Sequence, residues 1–343
     1  MELIAGDIGG TKSWLAWAAA AGDGGSVLRH EAVYRSADFS SGTDLLRHFI
    51  DEARQPAMPA SITLALPGPL DARRVRLTNL DWTLDADELQ TTLGVAEVRF
   101  LNDFQAAAAG VATLTAADVV VLNAGAPQAG GVRAITGAGT GLGLAFMVAA
   151  GKGHYQSHPS EGGHIDFAPA DARQARLLEG LRARHGHVSW ERVVSGSALG
   201  DLYAFCCAEH GQAPPAVALD GAALSARAEA GDAVADAALD LFVDLYGAWV
   251  GNVALLYQPF GGLYIAGGVA THMQGRMRSP RFMAAAADKG RMRDVVERTP
   301  IFLITCNRLG VQGALAHALT PPPTALPQHR RSAEAGNEEA SIK

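Results

Sequence analysis

Cysteine is nearly missing from this chain, with 3 in 343 residues. Cys206 and Cys207 are adjacent and Cys306 lies far off, so neither a disulfide framework nor a C-x-x-C zinc pattern can be built. The three read as buried or incidental thiols of a reducing compartment. A basic excess is missing too: 28 Lys and Arg face 35 Asp and Glu, a net charge of −7, which removes nucleic acid as the main partner. A small anionic substrate stays open, because backbone amides bind phosphate without a basic surface. Long apolar runs are also lacking. Stretches such as Leu144 to Ala150 and Val253 to Tyr257 fall far below a membrane span. The opening MELIAGDIGGTK has an acid at position 2 and too short an apolar stretch for a secretion signal. The expectation is a cytoplasmic protein with no membrane partner.

What is present suits two α/β domains, since the chain is 48% hydrophobic and 18% charged over 343 residues. LIAGDIGG is an apolar run ending in glycines, and SWLAWAAA can return beside it as a hairpin arm. HEAVYR supplies a third strand. TDLLRHFIDEAR carries apolar residues at 45, 46, 49 and 50, a helical stripe with Thr43 as its N-cap. SITLALPGPL and VRFLNDF read as further strands, the second running into an alanine-rich helix near Gln105. The second half repeats the plan, because GGVRAITGAGTGLGLAFMVAAG again reads strand, Gly-rich turn, strand. Ala233 to Tyr257 is the clearest helix, and GGLYIAGGVA and IFLITC are buried strands. Mixed sheets with helices on their faces follow. From Thr320 prolines and polar residues replace any periodicity, and 320–343 reads as a disordered tail.

Several stretches carry chemistry, each with a plainer alternative. In GDIGGTK, Asp7 ends a strand and Gly9, Gly10 and Thr11 form a tight turn. Such a turn lets backbone N–H groups approach phosphate, and Asp7 can hold Mg²⁺ through water; an ordinary Gly-Gly hairpin is the alternative. TGAGTGLG, with Gly137, Ala138, Gly139 and Thr140, opens a strand and not a helix. That context argues against a dinucleotide fingerprint and for a second phosphate loop. In LNDF, Asn102 and Asp103 stand where a strand ends and a helix begins. Asp103 is either a helix N-cap or a general base at a strand's carboxyl end. Glu161 and His164 in SEGGHIDF have the E-x-x-H spacing of helical metal pairs. Gly162, Gly163 and Pro159 disfavour a helix, so the pair is expected on a loop without the metal geometry. Glu191 is either a helix first-turn acid or a third polar group beside them.

The ordered series GDIGGT, LNDF, GAGTGLG, EGGHIDFAP, ERVVSG and IAGGV resembles the bacterial glucokinase family from about residue 3 to about 319. This is the ATP-dependent type within the hexokinase, actin and heat-shock ATPase fold. The resemblance implies a two-lobed actin-like ATPase (ribonuclease H-like) α/β fold of mixed sheets flanked by helices, with a cleft between the lobes. The small domain would take 1–111 plus 305–319 and the large one 112–304. By the same resemblance Asp103 would be the catalytic base. Asn102, Glu161, His164 and Glu191 would hold glucose. Asp7, Gly9, Gly10, Thr11, Gly137, Ala138, Gly139, Thr140, Gly267 and Gly268 would line the ATP site, with Mg²⁺ carried by ATP. The product would be glucose 6-phosphate and the assembly a homodimer. A kinase for another hexose, or a non-catalytic sugar sensor on the same fold, are the competing readings. Lys12 stands where many relatives have Asn, and GGVATHM departs from the family's GGI-x-P-R. Three scattered cysteines cannot supply the zinc motif of the related repressor/kinase family.

Overall fold

The computed structural model describes residues 1–21, 25–68, 73–77, 80–151, 153–217 and 219–319. The proposed tail, 320–343, lies outside the described residues. The chain opens with strands β1 (Glu2–Ile8), β2 (Lys12–Ala20) and β3 (Ser26–Arg35), then helix α1 (Gly42–Ala53) and strand β4 (Ser61–Leu66). A short hairpin of β5 (Arg74–Leu77) and β6 (Trp82–Asp85) leads to α2 (Ala86–Leu93), β7 (Glu97–Asn102) and α3 (Asp103–Gly110). The first sheet has the order β3-β2-β1-β4-β7. β1 and β2 are the antiparallel hairpin expected from sequence, with Ile8 opposite Ser13, and β1, β4 and β7 run parallel. β4 is buried at every residue, Ser61 and Thr63 included, as a strand covered on both faces must be.

The two faces of this sheet differ in residue size. Trp17, Leu45, Phe49, Ile62, Leu64 and Leu84 fill one side under α1. The other presents Ala5, Ala65 and Leu101 to Ala106 and Ala314. Small side chains there let two helices lie close: α3 and the last helix, α12 (Leu309–Leu319). A Cβ added at Gly110 would come within 2.5 Å of the Leu309 carbonyl oxygen, and one at Gly313 would overlap the carbonyl of Ala106. The helix pair therefore packs backbone on backbone.

Between them the chain builds a second sheet, ordered β11-β10-β9-β12-β13-β8. Its strands are β8 (Val119–Asn123), β9 (Arg133–Ala138), β10 (Leu142–Gly151), β11 (His154–Ser160), β12 (Gly262–Ala266) and β13 (Ile301–Ile304). The helices α4 (Ala172–His185), α5 (Ala198–Glu209), α6 (Gly221–Glu229) and α7 (Ala233–Tyr257) follow β11. The short α8 (Gly268–His272), α9 (Gln274–Met277), α10 (Pro280–Ala287) and α11 (Arg293–Arg298) separate β12 from β13. α7 spans the residues the apolar period predicts. It is long and apolar enough to cross a membrane, yet most of it is buried in this core, and its one acidic stripe, Asp236, Asp240 and Asp244, pairs with Arg276 and Arg281. Tyr246 and Trp249, one turn apart on α7, both bond to β9. The Tyr246 hydroxyl accepts from Ala138 N–H at 3.1 Å, and Trp249 Nε1–H donates to Thr136 Oγ1 at 2.9 Å.

Three local expectations need correction. α1 is capped by Ser41, whose hydroxyl accepts from Asp44 N–H at 3.1 Å, so Thr43 lies within the helix. The helix after β7 starts at Asp103, two residues before Gln105, because Asn102 caps it. The stretch preceding Glu161 is strand and not loop through Ser160; β11 is an edge strand, where Pro159 removes no interior ladder bond.

Tyr246→Phe removes the acceptor from Ala138 N–H while keeping the ring. It is expected to lower stability by roughly 1–3 kcal/mol, read from the midpoint of urea unfolding; an unchanged midpoint would show that this bond does not hold β9 to α7.

Candidate active site

The site starts from the junction of β7 and α3. Asn102, with φ −60° and ψ 142°, takes the N-cap position. Its Oδ1 accepts from Phe104 N–H at 2.9 Å and Gln105 N–H at 3.2 Å, and its Nδ2 donates to the Gly68 carbonyl at 3.1 Å. The alternative in which Asp103 is the cap is thereby resolved: Asn102 does that work. Asp103 is left with one modest tie, Oδ1 accepting from Phe104 N–H at 2.8 Å. Burial pushes its carboxyl up to about 6, against the pull of the Phe104 N–H and with a further push from Glu161.

Asp7 stands near the end of β1, paired with Trp14 on β2 and Ala65 on β4. It retains a little solvent access but is packed by protein on most sides, and burial together with the charge of Asp103 raises its pKa to about 6. Lys12 opposes that rise; its exposed ammonium stands 5.1 Å from the centre of the Trp14 ring. A Cβ on Gly310, in the first turn of α12, would overlap Asp7 Oδ2, so glycine makes room for this carboxylate. In the adjoining turn Gly9 N–H is already donated to the Lys12 carbonyl at 2.9 Å, and Ser36 Oγ donates to the Gly9 carbonyl at 2.7 Å. Thr11 is exposed at the tip. Gly9 thus shapes the turn from within, and its own amide is not an open phosphate donor.

The second Gly-rich turn joins β9 to β10. Gly137 and Ala138 are strand residues, with the Ala138 N–H spent on Tyr246. Gly139 and Thr140 form the open tip. Gly139 N–H donates to Gly141 O at 2.9 Å, and the Gly139 carbonyl accepts from Gly196 N–H at 2.8 Å. Gly267 has φ +96°, a conformation suited to glycine, and a Cβ there would overlap the Ala138 carbonyl. The turn before α8 is thereby seated beside this hairpin, bringing Gly267 and Gly268 to residues 137–140.

Glu161, His164 and Glu191 do converge. Gly162–His164 is a 3-10 turn, whose three-residue period puts positions i and i+3 on one side. His164 Nε2 lies 3.8 Å from Glu161 Oε2 and 4.0 Å from Glu191 Oε2. The expectation that the glycines would destroy the i, i+3 alignment is therefore wrong. Among the described residues no group of three or more His, Cys, Asp or Glu could hold a metal ion. Glu191 Oε2 accepts from Leu142 N–H at 3.0 Å, fixing the carboxylate to the second hairpin. Gly141 makes that possible, because a Cβ there would overlap Glu191 Oε2. Sequence reasoning missed Gly141 and Gly310 as makers of space for carboxylates, and Phe104, which packs on Gly137 and Gly143. The glycines were visible, but nothing local said which side chain each would admit.

The family model for glucokinase matches residues 4–321. A glucokinase of Nostoc punctiforme is 36% identical over 333 residues, which cover 91% of this chain and 97% of the relative. The chain belongs to the glucokinase family. The crystal structure of a glucokinase from an Antarctic psychrotroph agrees, with a TM-score of 0.81 at 34% identity over 92% of this chain and 98% of that one. A ROK hexokinase from Thermus thermophilus, at 20% identity and a TM-score of 0.63 over 92% and 98%, shares the fold. The two-lobed actin-like ATPase fold expected from sequence is thus the fold observed. As a member of the glucokinase family, this chain is an ATP-dependent hexose kinase.

Asp103 makes stability depend on pH. Its carboxyl has a higher pKa folded than the ordinary 3.8, so the folded state binds the extra proton. Its contribution to stability falls as pH rises from about 4 to about 6, and the cost persists above. Asp103→Asn keeps the Oδ1 acceptor and removes the charge. It is expected to stabilise by roughly 1–3 kcal/mol at about pH 8 and by little at about pH 4. Thermal melts at the two pH values check this, and an equal effect at both would exclude the charge as the cause.

Proposed function

We propose that this glucokinase-family member transfers the γ-phosphoryl of ATP to the 6-hydroxyl of D-glucose with Asp103 as the base. The observation that carries the reading is the Asp103 carboxyl itself. It stands at the carboxyl end of a strand, relieved of capping by Asn102, half tied by one N–H, with its pKa raised to about 6. A base in that state holds its charge at neutral pH yet accepts a proton readily. The sugar oxygen forms a bond to the γ-phosphorus as the bond to the β,γ-bridging oxygen breaks. The hydroxyl proton passes to Asp103 and then to solvent, and ADP leaves. Phosphoryl transfer needs positioning and charge neutralisation more than covalent help.

Glu161, His164 and Glu191 suit the remaining sugar hydroxyls, with Asn102 beside them, because carboxylates and imidazole offer fixed acceptors and donors to a pyranose. A solved relative supports this choice: a glucokinase from Balamuthia mandrillaris is in complex with glucose. For ATP, the open Gly139 and Thr140, the exposed Thr11 tip and the turn at Gly267 and Gly268 are the candidate contacts. Gly9, Gly10, Gly137 and Ala138 would set the shape of those turns. A Streptomyces griseus ROK glucokinase was solved with glucose and AMPPNP. Mg²⁺ would arrive with the nucleotide. Asp7 fits it, being a poorly solvated carboxylate on which the charge of Asp103 outweighs that of Lys12, so a cation would relieve both carboxylates. When bound it would supply charge neutralisation at the phosphates. The same reading takes 1–111 with 305–319 as one lobe, 112–304 as the other, a cytoplasmic location and a homodimer.

Asp103→Ala is expected to lower kcat by at least a thousandfold while glucose binding, followed by calorimetry, stays measurable; retained turnover would refute the base. A panel of hexoses assayed with Mg·ATP should give the highest kcat/KM for glucose, whereas turnover with none would favour a sensor. In the parent enzyme kcat/KM should fall below about pH 6 as Asp103 takes its proton. The fall should be steeper than one proton where Asp7 must also be ionised.

A further inference from the structure

We infer that Phe104 is a positioning residue whose ring, seated in a slot cut by Gly137 and Gly143, fixes Asp103 against the second Gly-rich hairpin; this rests on Asp103 being the base. Gly137 on β9 and Gly143 on β10 are direct partners across the antiparallel ladder. Together they leave a bare patch, which weakens a strand unless something covers it. What covers it is the Phe104 ring. A Cβ at Gly143 would overlap Phe104 Cδ2, Cε2 and Cζ; one at Gly137 would first meet the Ala266 carbonyl oxygen at 2.5 Å and then the edge of the ring, Cζ, at 3.2 Å, so Gly143 opens the slot and Gly137 lines its rim. Phe104 also packs against the apolar cluster that includes Ile135, Ala145 and Ala266 of the second sheet.

Residue 104 thus has two attachments with different destinations. Its ring is set in the hairpin whose tip is Gly139 and Thr140. Its N–H, one peptide from Asp103, donates to Asp103 Oδ1 at 2.8 Å and to Asn102 Oδ1 at 2.9 Å. A shift of the hairpin must pull on the first turn of α3, because interlocked side chains transmit displacement. Base and nucleotide hairpin are therefore held in one register by a side chain that touches neither substrate. Of the proposed sugar groups, Glu161 and His164 stand on another segment, and Glu191 keeps its own tie to Leu142 N–H. Asn102 keeps its bond from the Phe104 backbone N–H, which the side chain does not supply, so loosening the ring alone should spare glucose binding.

Phe104→Ala keeps the backbone N–H and empties the slot. Expected are a kcat lower by ten- to a hundredfold, a glucose Kd within about threefold of the parent, and an acid limb of kcat/KM moved to lower pH as Asp103 gains water. Gly143→Ala should damage kcat in the same way from the other side. Phe104→Leu should cost less than Phe104→Ala in the parent background and recover part of the loss in the Gly143→Ala background, the second because a smaller side chain tolerates the added methyl. These two variants carry the test if Phe104→Ala does not fold, as judged by its melting curve. Turnover within twofold of the parent for folded Phe104→Ala or Gly143→Ala, or equal losses in kcat and glucose binding, would overturn the positioning role. Asp103→Ala is assayed alongside. If it turns over, the base assignment fails; if it is dead while the Phe104 variants are unimpaired, only the positioning role fails.

Discussion

Helix α3 has no slack on either side, and the arrangement of the charged groups follows from that. On one side it meets α12 at bare backbone, Gly110 against the Leu309 carbonyl and Gly313 against the carbonyl of Ala106. On the other its first turn is keyed by Phe104 into β9 and β10. Close-packed interfaces shift between discrete arrangements and do not deform smoothly. A helix held this way therefore presents Asp103 at a fixed place. α12 adds a second constraint, because Gly310 in its first turn is shaped around Asp7. The α3–α12 pair thus sets where the two carboxylates stand, with the charge of Asp103 raising Asp7.

That relation is unfavourable in the free protein. Asp7 and Asp103 are both poorly solvated, and each carboxyl is pushed up to about 6. Lys12 offsets only part of this at Asp7. The fold tolerates the penalty because the cores under α1 and around α7 are large and apolar. An unrelieved pair of charges is a poor stability device, but it suits a site that receives a cation-bearing phosphate and a hydroxyl proton.

Periodicity made the long elements legible. Leu241, Leu245 and Trp249 follow the helical stripe of α7, and β1 and β4 show the mainly apolar composition of covered strands. Capping was less legible, since Ser41 and Thr43, or Asn102 and Asp103, are chemically near-equivalent and only the backbone dihedrals choose between them. Pro159 hid β11, because a proline argues against a strand unless the strand is known to be an edge. The site residues stood out as polar groups at strand ends and glycine turns, and the resemblance supplied their order. Glu161 and His164 were identified together while their geometry was misjudged, since a single 3-10 turn leaves no period in the sequence.

Glycine was the hardest residue to read, and TGAGTGLG shows why. Its four alternating glycines suggest a loop stripped for phosphate. Three of them instead accommodate the protein's own groups: Gly143 the Phe104 ring, Gly137 the Ala266 carbonyl and the edge of that ring, and Gly141 the Glu191 carboxylate. Only Gly139, at the tip, has open space beside it. The pattern therefore encodes a platform more than a cradle. One edge receives the residue next to the candidate base, and the turn receives a carboxylate of the candidate sugar site, tied at 3.0 Å to Leu142 N–H. A hairpin that carries one contact from each of these groups must move both when its tip moves. Loading of the tip by nucleotide would then be felt at the sugar side without a separate signalling element.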